Sequence, residues 1–126
     1  MQKRILAISM SAVLLAGCAT STRYVGYSYD QFTPKDKAYV VSVYPSSQTS
    51  NVSKPYFVIG KVSIEGFAGN GVNPENLMAQ ARVLARKKGA DAIINAETQV
   101  YHYYYGDALL RFTGELIVYP SSLPHS

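Results

Sequence analysis

The chain has a single cysteine among its 126 residues, at position 18, so no disulfide can join two parts of it. The fold therefore has to be held together by packing alone. Once the N-terminal segment and a short C-terminal tail are set aside, roughly 80 residues remain, which is near the lower limit for a domain that buries its own core. We expect one domain, and a core of this size is also compatible with an oligomer or with a surface covered by a partner.

The N-terminal segment is organised like a secretion signal. Lys3 and Arg4 precede an apolar stretch over residues 5–16 that is broken only by serines. This stretch is shorter than the roughly 20 apolar residues that a membrane-spanning helix needs. The segment ends in the tetrapeptide Leu15, Ala16, Gly17 and Cys18. This tetrapeptide resembles the lipobox of bacterial lipoproteins.

In lipoproteins of that family a diacylglycerol is joined to the cysteine thiol, and the signal is cut just before it. The resemblance implies that residues 1–17 are a signal peptide and that Cys18 becomes the lipid-bearing N-terminus; removing 17 of 126 residues leaves a mature chain of 109. By resemblance to enterobacterial lipoproteins, Ala19 after the cysteine favours the outer membrane, facing the periplasm. The alternative is an ordinary signal or an uncleaved anchor in which the cysteine occurs by chance.

Charge indicates which partners the rest of the chain can have, and composition indicates how it is organised. Without Lys3 and Arg4, ten basic residues stand against eight acidic ones, which gives no electrostatic footprint for nucleic acid. We predict that residues 18–37 are the lipidated cysteine and a polar tether. We predict a folded domain over residues 38–120 and a loose tail over residues 121–126.

Hydrophobic periodicity predicts the order β-β-α-β-β within the domain. The strands are expected over residues 38–44, 56–65, 91–104 and 108–119, with a loop over residues 45–55. Between the second and third strands, Asn73 is a good N-cap, Pro74 suits the first helical position and Gly89 suits the residue after the helix. The apolar stripe of this helix is Leu77, Met78, Ala81, Leu84 and Ala85. The expected fold class is α+β, with one helix on one face of a mostly antiparallel four-stranded sheet.

Alternation along the strands assigns residues to the two faces of the sheet. The core face is expected to hold Tyr56, Val58, Gly60, Val62, Ile64, Ala92, Ile94, Ala96, Thr98, Val100, Leu110, Phe112, Gly114, Leu116 and Val118. A three-residue loop over residues 106–108 would pair Tyr105 with Leu109 and would set Gln99 opposite Glu115. This register brings the apolar faces of the last two strands into agreement.

The opposite face is predicted to be too apolar to remain wholly exposed. Its members are Phe57, Ile59, Ile93, Tyr101, Tyr103, Leu109 and Ile117. Either the tether folds back over them with its tyrosines, Tyr24, Tyr27 and Tyr29, or another protein covers them. Tyr101, Tyr103, Tyr104 and Tyr105 surround His102 at the hairpin tip, where they could serve strand packing, contact with a protein or peptidoglycan, or contact with a membrane.

Residues 58–118 resemble a broad group of small bacterial domains, the YbjQ/RcsF-like group. The shared features are the helix, its join to the next strand over residues 89–94, and an internal Gly114. The resemblance implies the fold and not the function. RcsF-like proteins depend on disulfides and YbjQ-type proteins are described as metal-binding, whereas this domain has no cysteine and no Cys–His cluster.

No pattern typical of catalysis or metal binding emerges. The glycines at positions 66, 69 and 71 do not match a phosphate-binding loop, and neither His102 nor His125 has ligands at zinc spacing. We therefore expect a non-enzymatic envelope lipoprotein without cofactor or metal, which binds an envelope protein or peptidoglycan or serves as a structural module. The alternatives are a stress-sensing lipoprotein and, third, a hydrolase or metal-binding protein.

Overall fold

The computed structural model describes residues 20–27, 31–102 and 106–120. The strands are β1 (Thr20–Gly26), β2 (Ser42–Pro45), β3 (Phe57–Phe67), β4 (Ala92–His102) and β5 (Ala108–Val118). One α-helix in these ranges, α1 (Pro74–Lys87), lies between β3 and β4, and short 3-10 turns cover Ser46–Asn51 and Ala68–Asn70. The α+β class is confirmed. None of the helices in the described ranges is long and apolar enough to span a bilayer.

The sheet has five strands in the order β1-β3-β5-β4-β2, so the prediction of four mostly antiparallel strands was wrong in two respects. The extra strand, β1, comes from the segment that was interpreted as tether, and it pairs antiparallel with β3 over its whole length. The first predicted strand is shorter than expected and runs parallel to β4. Both strands cover edges of the antiparallel core that would otherwise expose unpaired backbone groups.

Helix α1 follows the sequence prediction closely. The Asn73 side chain accepts a hydrogen bond from the Asn76 backbone N–H at 2.9 Å, and the Asn76 side chain accepts one from the Asn73 N–H at 3.2 Å. Gly89 follows the helix with a φ of +80°, which is the left-handed conformation expected after a helix end. Leu77, Ala81 and Ala85 are fully buried against the sheet.

The main core lies between α1 and the sheet. Its buried members are Val41, Ile59, Val62, Ile64, Val72, Leu77, Ala81, Ala85, Ala90, Ile93, Ala96, Leu110, Phe112, Leu116 and Val118. Strand β5 supplies it with alternate residues, as predicted. Gly114 leaves room on this face, because a Cβ there would meet Ile93 Cγ2 at 2.6 Å.

Two β-bulges change which residues of β3 and β4 face the main core. The register of β3 shifts between Val58 and Gly60, and that of β4 shifts between Ile94 and Glu97. Because each bulge inserts one residue, the inward and outward sets exchange across it. Ile59 and Ile93, which were expected on the outer face, therefore lie in the main core. The expectation that Val58, Ala92 and Ile94 face the helix was wrong.

A second, smaller core forms on the face away from the helix. Ala92, Ile94 and Ile117 are buried there, packed against Tyr44, Val52, Val58 and Tyr119. Val52 comes from the chain between β2 and β3, whereas Tyr44 lies in β2 and Tyr119 follows β5. The prediction that the tether or another protein covers Ile117 was therefore wrong, because other residues of the domain bury it.

Candidate functional site

The outer face of β1, β3 and β5 forms an open groove of about 480 Å³, which we call the outer groove. It is lined by Ser21, Arg23, Val25, Lys61, Ser63, Glu65, Arg111 and Thr113. These positions belong to alternate residues of three paired strands, which point to one side of a sheet. Seven of the eight lining residues are polar or charged, and Val25 is the apolar exception.

The strand register arranges the groove residues in rows across the sheet. Arg23 stands opposite Ser63, and Ser63 stands opposite Thr113. In the row on one side, Glu65 lies between Ser21 and Arg111. Short hydroxyl side chains therefore occupy the middle of the groove, and the long charged side chains surround them.

Arg111 is held in place by two neighbours. Its Nε donates to Glu65 Oε2 at 2.8 Å. Its guanidinium lies 5.1 Å from the centre of the Tyr101 ring, and Nη1 donates to the Tyr101 hydroxyl at 3.4 Å. The hydrogen bond to Glu65 is the main reason that the pKa of Arg111 is raised, followed by the charge of that carboxylate. Arg111 is therefore a positioned cation.

Arg23 and Lys61 are the other cations of the groove. Both are exposed, and neither takes part in the two ion pairs found among the described residues. They stand on neighbouring strands: Arg23 is opposite Ser63, and Lys61 lies in the next row, opposite Val25. This edge of the groove therefore presents positive charge that no described carboxylate neutralises by direct contact.

The adjoining surface towards β4 is acidic. A shallower depression of about 270 Å³ shares Lys61 and Thr113 with the outer groove and adds Ser46, Asn95, Glu97, Gly114 and Glu115. The Ser46 hydroxyl donates to Glu97 at 2.7 Å, and the Asn95 amide donates to Glu115 at 3.2 Å. The open face thus changes from cationic at β1 to anionic at β4.

The residues predicted to bind a partner do not form one surface. Ile59 is 6% exposed and Ile117 is fully buried, so both serve the cores and cannot contact a partner. Phe57 and Tyr101 are 55% and 37% exposed, but they lie at opposite ends of the sheet. Tyr103, Tyr104 and Tyr105, like Leu15, Ala16, Gly17 and Cys18, lie outside the described residues.

The predicted hairpin register was also wrong. Leu109 pairs with Tyr101 and not with Tyr105, and Gln99 pairs with Arg111 and not with Glu115. The observed register of β4 against β5 differs from the predicted one by an even number of residues, so the same faces of the two strands still coincide. The difference places the Tyr101 ring beside Arg111. This contact could not be read from the chain order.

Sequence reasoning missed Arg23, Lys61 and Arg111 as a group. The available signal was that Lys61, Ser63 and Glu65 alternate along the second predicted strand, a pattern that favours a partly solvated face. Arg23 was assigned to the tether, so its approach to that edge could not be anticipated.

The lining of the outer groove supplies charged groups and hydroxyls. Its lining includes no histidine and no cysteine to activate the Ser63 or Thr113 hydroxyl as a nucleophile. Across the described ranges, no three His, Cys, Asp or Glu side chains come together as a group that could hold a metal ion. The groove can attract negatively charged groups. Arg23 and Lys61 can donate hydrogen bonds to them, and the Ser63 and Thr113 hydroxyls can both donate and accept.

Comparison with known proteins adds a structural likeness to this description. No protein-family model matches the chain, and no curated protein matches it. Among solved structures, the crystal structure of the Francisella virulence factor FvfA in its orthorhombic form is 20% identical in sequence and aligns with a TM-score of 0.49. The alignment covers 75% of this chain and 96% of that one. A likeness at this level carries no argument about function.

Proposed function

We propose that this chain is a lipid-anchored bacterial envelope protein that has no enzymatic activity and binds another envelope component through its outer groove. The lipid is attached at Cys18, and the folded domain faces the periplasm from the outer membrane. The anchor is supported by the signal-like segment and by the tetrapeptide over residues 15–18. More than one acyl chain is needed for stable attachment, which a lipoprotein cysteine supplies.

The observation that carries the binding role is the open outer groove with its arranged charges. Helix α1 covers one face of the sheet, and the second, smaller core covers only one end of the other face. What stays open presents two exposed cations, Arg23 and Lys61, beside a third that Glu65 and Tyr101 hold in position. Side chains that are already positioned lose less entropy when a ligand arrives.

The charge of the groove favours a partner that carries carboxylates. Arginine and lysine form charge-assisted hydrogen bonds to carboxylates, and these are stronger than bonds between neutral groups. Acidic protein segments and the peptides of peptidoglycan both present such groups. The anionic side at Glu97 and Glu115 would in turn accept ammonium groups of the same partner.

The anchor is tested by labelling cells with palmitate and comparing the natural chain with Cys18→Ser. We expect label only on the natural chain, and we expect the variant to accumulate uncleaved or to leave the outer-membrane fraction. A Cys18→Ser chain that is processed and fractionates like the natural one would contradict the proposal.

Binding is tested with the double variant Arg23→Gln/Lys61→Gln. Its matched control is Lys37→Gln/Lys87→Gln, which removes the same charge from exposed positions outside the groove. Purified peptidoglycan co-sedimentation and crosslinking in intact cells report the two kinds of partner separately. We expect the groove variant to lose binding roughly tenfold or more, because each charge-assisted hydrogen bond contributes about 1.5–3 kcal/mol. Equal binding by the groove and control variants would rule out the groove.

A further inference from the structure

The position at which β1 begins limits how far the domain can stand from its lipid anchor. Thr20, the first residue of β1, follows Cys18 by two positions. Consecutive Cα atoms are about 3.8 Å apart, so the Cα atoms of Cys18 and Thr20 lie within about 8 Å of each other. Residues 20–26 cannot serve as a spacer, because each of them pairs with a residue of β3.

Thr20 lies at one end of the sheet, which we call the anchor end. There Thr20 pairs with Gly66, the adjacent residue Phe67 pairs with Leu109, and Leu109 pairs with Tyr101. Neighbouring strands are about 4.8 Å apart, so the four strand ends from β1 to β4 span roughly 15 Å. Tyr101 is therefore held at the same end of the sheet as the residue that leads to the anchor.

The anchor end has the side chains of a surface that meets lipid headgroups. Tyr101 is 37% exposed on one face of β4, and its neighbour Val100 is 50% exposed on the other. Tyrosine rings concentrate at membrane–water interfaces, where the ring meets apolar groups and the hydroxyl stays hydrated. Moving an exposed valine side chain beside such a ring from water into a bilayer is favourable, because it removes apolar surface from water.

Two charged groups that border the anchor end are ion-paired or hydrogen-bonded within the protein. Arg111 is paired with Glu65. The Asp107 carboxylate accepts hydrogen bonds from the backbone N–H groups of Gly69, at 3.0 Å, and Ala108, at 2.8 Å. Approach to a neutral lipid surface would therefore not strip water from an uncompensated charge at these positions.

We infer that the anchor end rests on the phospholipid surface, with Tyr101 and Val100 in the headgroup layer. This inference depends on the proposed lipidation of Cys18. The acyl chains bring the sheet end to the bilayer, and the exposed side chains of that end add a second contact. The long axis of β3 then points away from the membrane, so that Phe57, ten residues from Phe67, lies roughly 33 Å further out.

The absence of tryptophan from the chain allows a direct test. Tyr101→Trp and Phe57→Trp each create a single fluorescent reporter at an exposed site, one at each end of the sheet. The full lipidated protein is placed on phosphatidylcholine vesicles with and without brominated lipid, which quenches tryptophan near the bilayer. We expect the emission of the Tyr101→Trp protein to shift to the blue and to be quenched, and that of the Phe57→Trp protein to stay unchanged.

Co-sedimentation with the vesicles separates this inference from the proposed function. If the lipidated protein sediments with vesicles and the Tyr101→Trp reporter is no more quenched than the Phe57→Trp reporter, the inference is wrong and the anchor stands. If the protein carries no lipid and does not sediment, both are wrong. Val100→Trp provides a second reporter on the other face of β4 in case Tyr101→Trp disturbs Arg111, and we expect it to be quenched as well.

Discussion

The backbone N–H of Tyr119 donates to the Asp91 Oδ2 at 2.8 Å, which ties the chain after β5 to a carboxylate just before β4. Asp91 is only 5% exposed. Its Oδ1 accepts from the Tyr39 hydroxyl at 3.1 Å and lies 2.9 Å from Lys35 Nζ. One buried carboxylate thus joins three parts of the chain that are distant in sequence.

Replacement of Asp91 by Asn should destabilise the protein. The amide keeps the shape of the side chain but removes the charge that faces Lys35, whose side chain is 21% exposed. Loss of one partner of a buried, hydrogen-bonded pair costs several kcal/mol, and we expect about 2–3 kcal/mol here because Lys35 retains some access to water. The measurement is the free energy of unfolding in urea. Asp36→Asn, at an exposed neighbouring position, is the control and should change it by less than about 0.5 kcal/mol.

Gly89 and Gly71 allow backbone strain to be separated from steric contact. Both have positive φ angles, of 80° and 85°, so alanine at either position is strained by about 1–2 kcal/mol. A Cβ at Gly89 would also meet the Phe32 Cβ and the Thr33 carbonyl oxygen, each at 2.7 Å, whereas a Cβ at Gly71 meets nothing within 4 Å. We therefore expect Gly89→Ala to destabilise the protein clearly more than Gly71→Ala in urea unfolding. Equal losses would show that the chain around Phe32 moves aside without cost.

Asn95 adopts a φ of +51° at the bulge of β4, a conformation that β-branched residues strongly disfavour. The Thr49 hydroxyl donates to its side chain at 2.9 Å and accepts from its backbone N–H at 3.1 Å. We expect Asn95→Val to cost about 2 kcal/mol in thermal or urea unfolding, because it combines strain with a lost hydrogen bond. Asn95→Gly keeps the backbone conformation and should cost less. Similar losses for the two variants would mean that the side-chain hydrogen bonds alone matter.

Stability should fall at alkaline pH. The pKa values of Tyr24, Tyr39 and Tyr119 are raised above 10.0, in each case mainly because burial disfavours the charged phenolate. The folded state then holds these protons more tightly than the unfolded state, so their contribution is complete below pH 10 and is lost as pH rises through the folded pKa values. Urea unfolding between neutral and strongly alkaline pH should show this decline. Tyr24→Phe should make it less steep, and an unchanged slope would contradict the assignment.

Local sequence determined the parts of the fold whose interactions are local. The helix from Pro74 to Lys87 was predictable because Asn73 and Gly89 supply its ends and its apolar stripe recurs every three or four residues. The faces of β5 were predictable for the same reason, since alternation continues without interruption from Leu110 to Val118. The lone cysteine by itself excludes a core held by disulfides within the chain.

Tertiary structure decided the faces of β3 and β4, the strand at each edge of the sheet and the outer groove. A bulge at Ile59 or Asn95 leaves no clear mark in a pattern of alternating residues, because its free energy depends on what the neighbouring strands and the covering chain can bury. Arg23 and Lys61 were visible in the sequence only as separate cations. They share a surface because β1 pairs with β3, and that pairing satisfies backbone hydrogen bonds that are the same for every residue type.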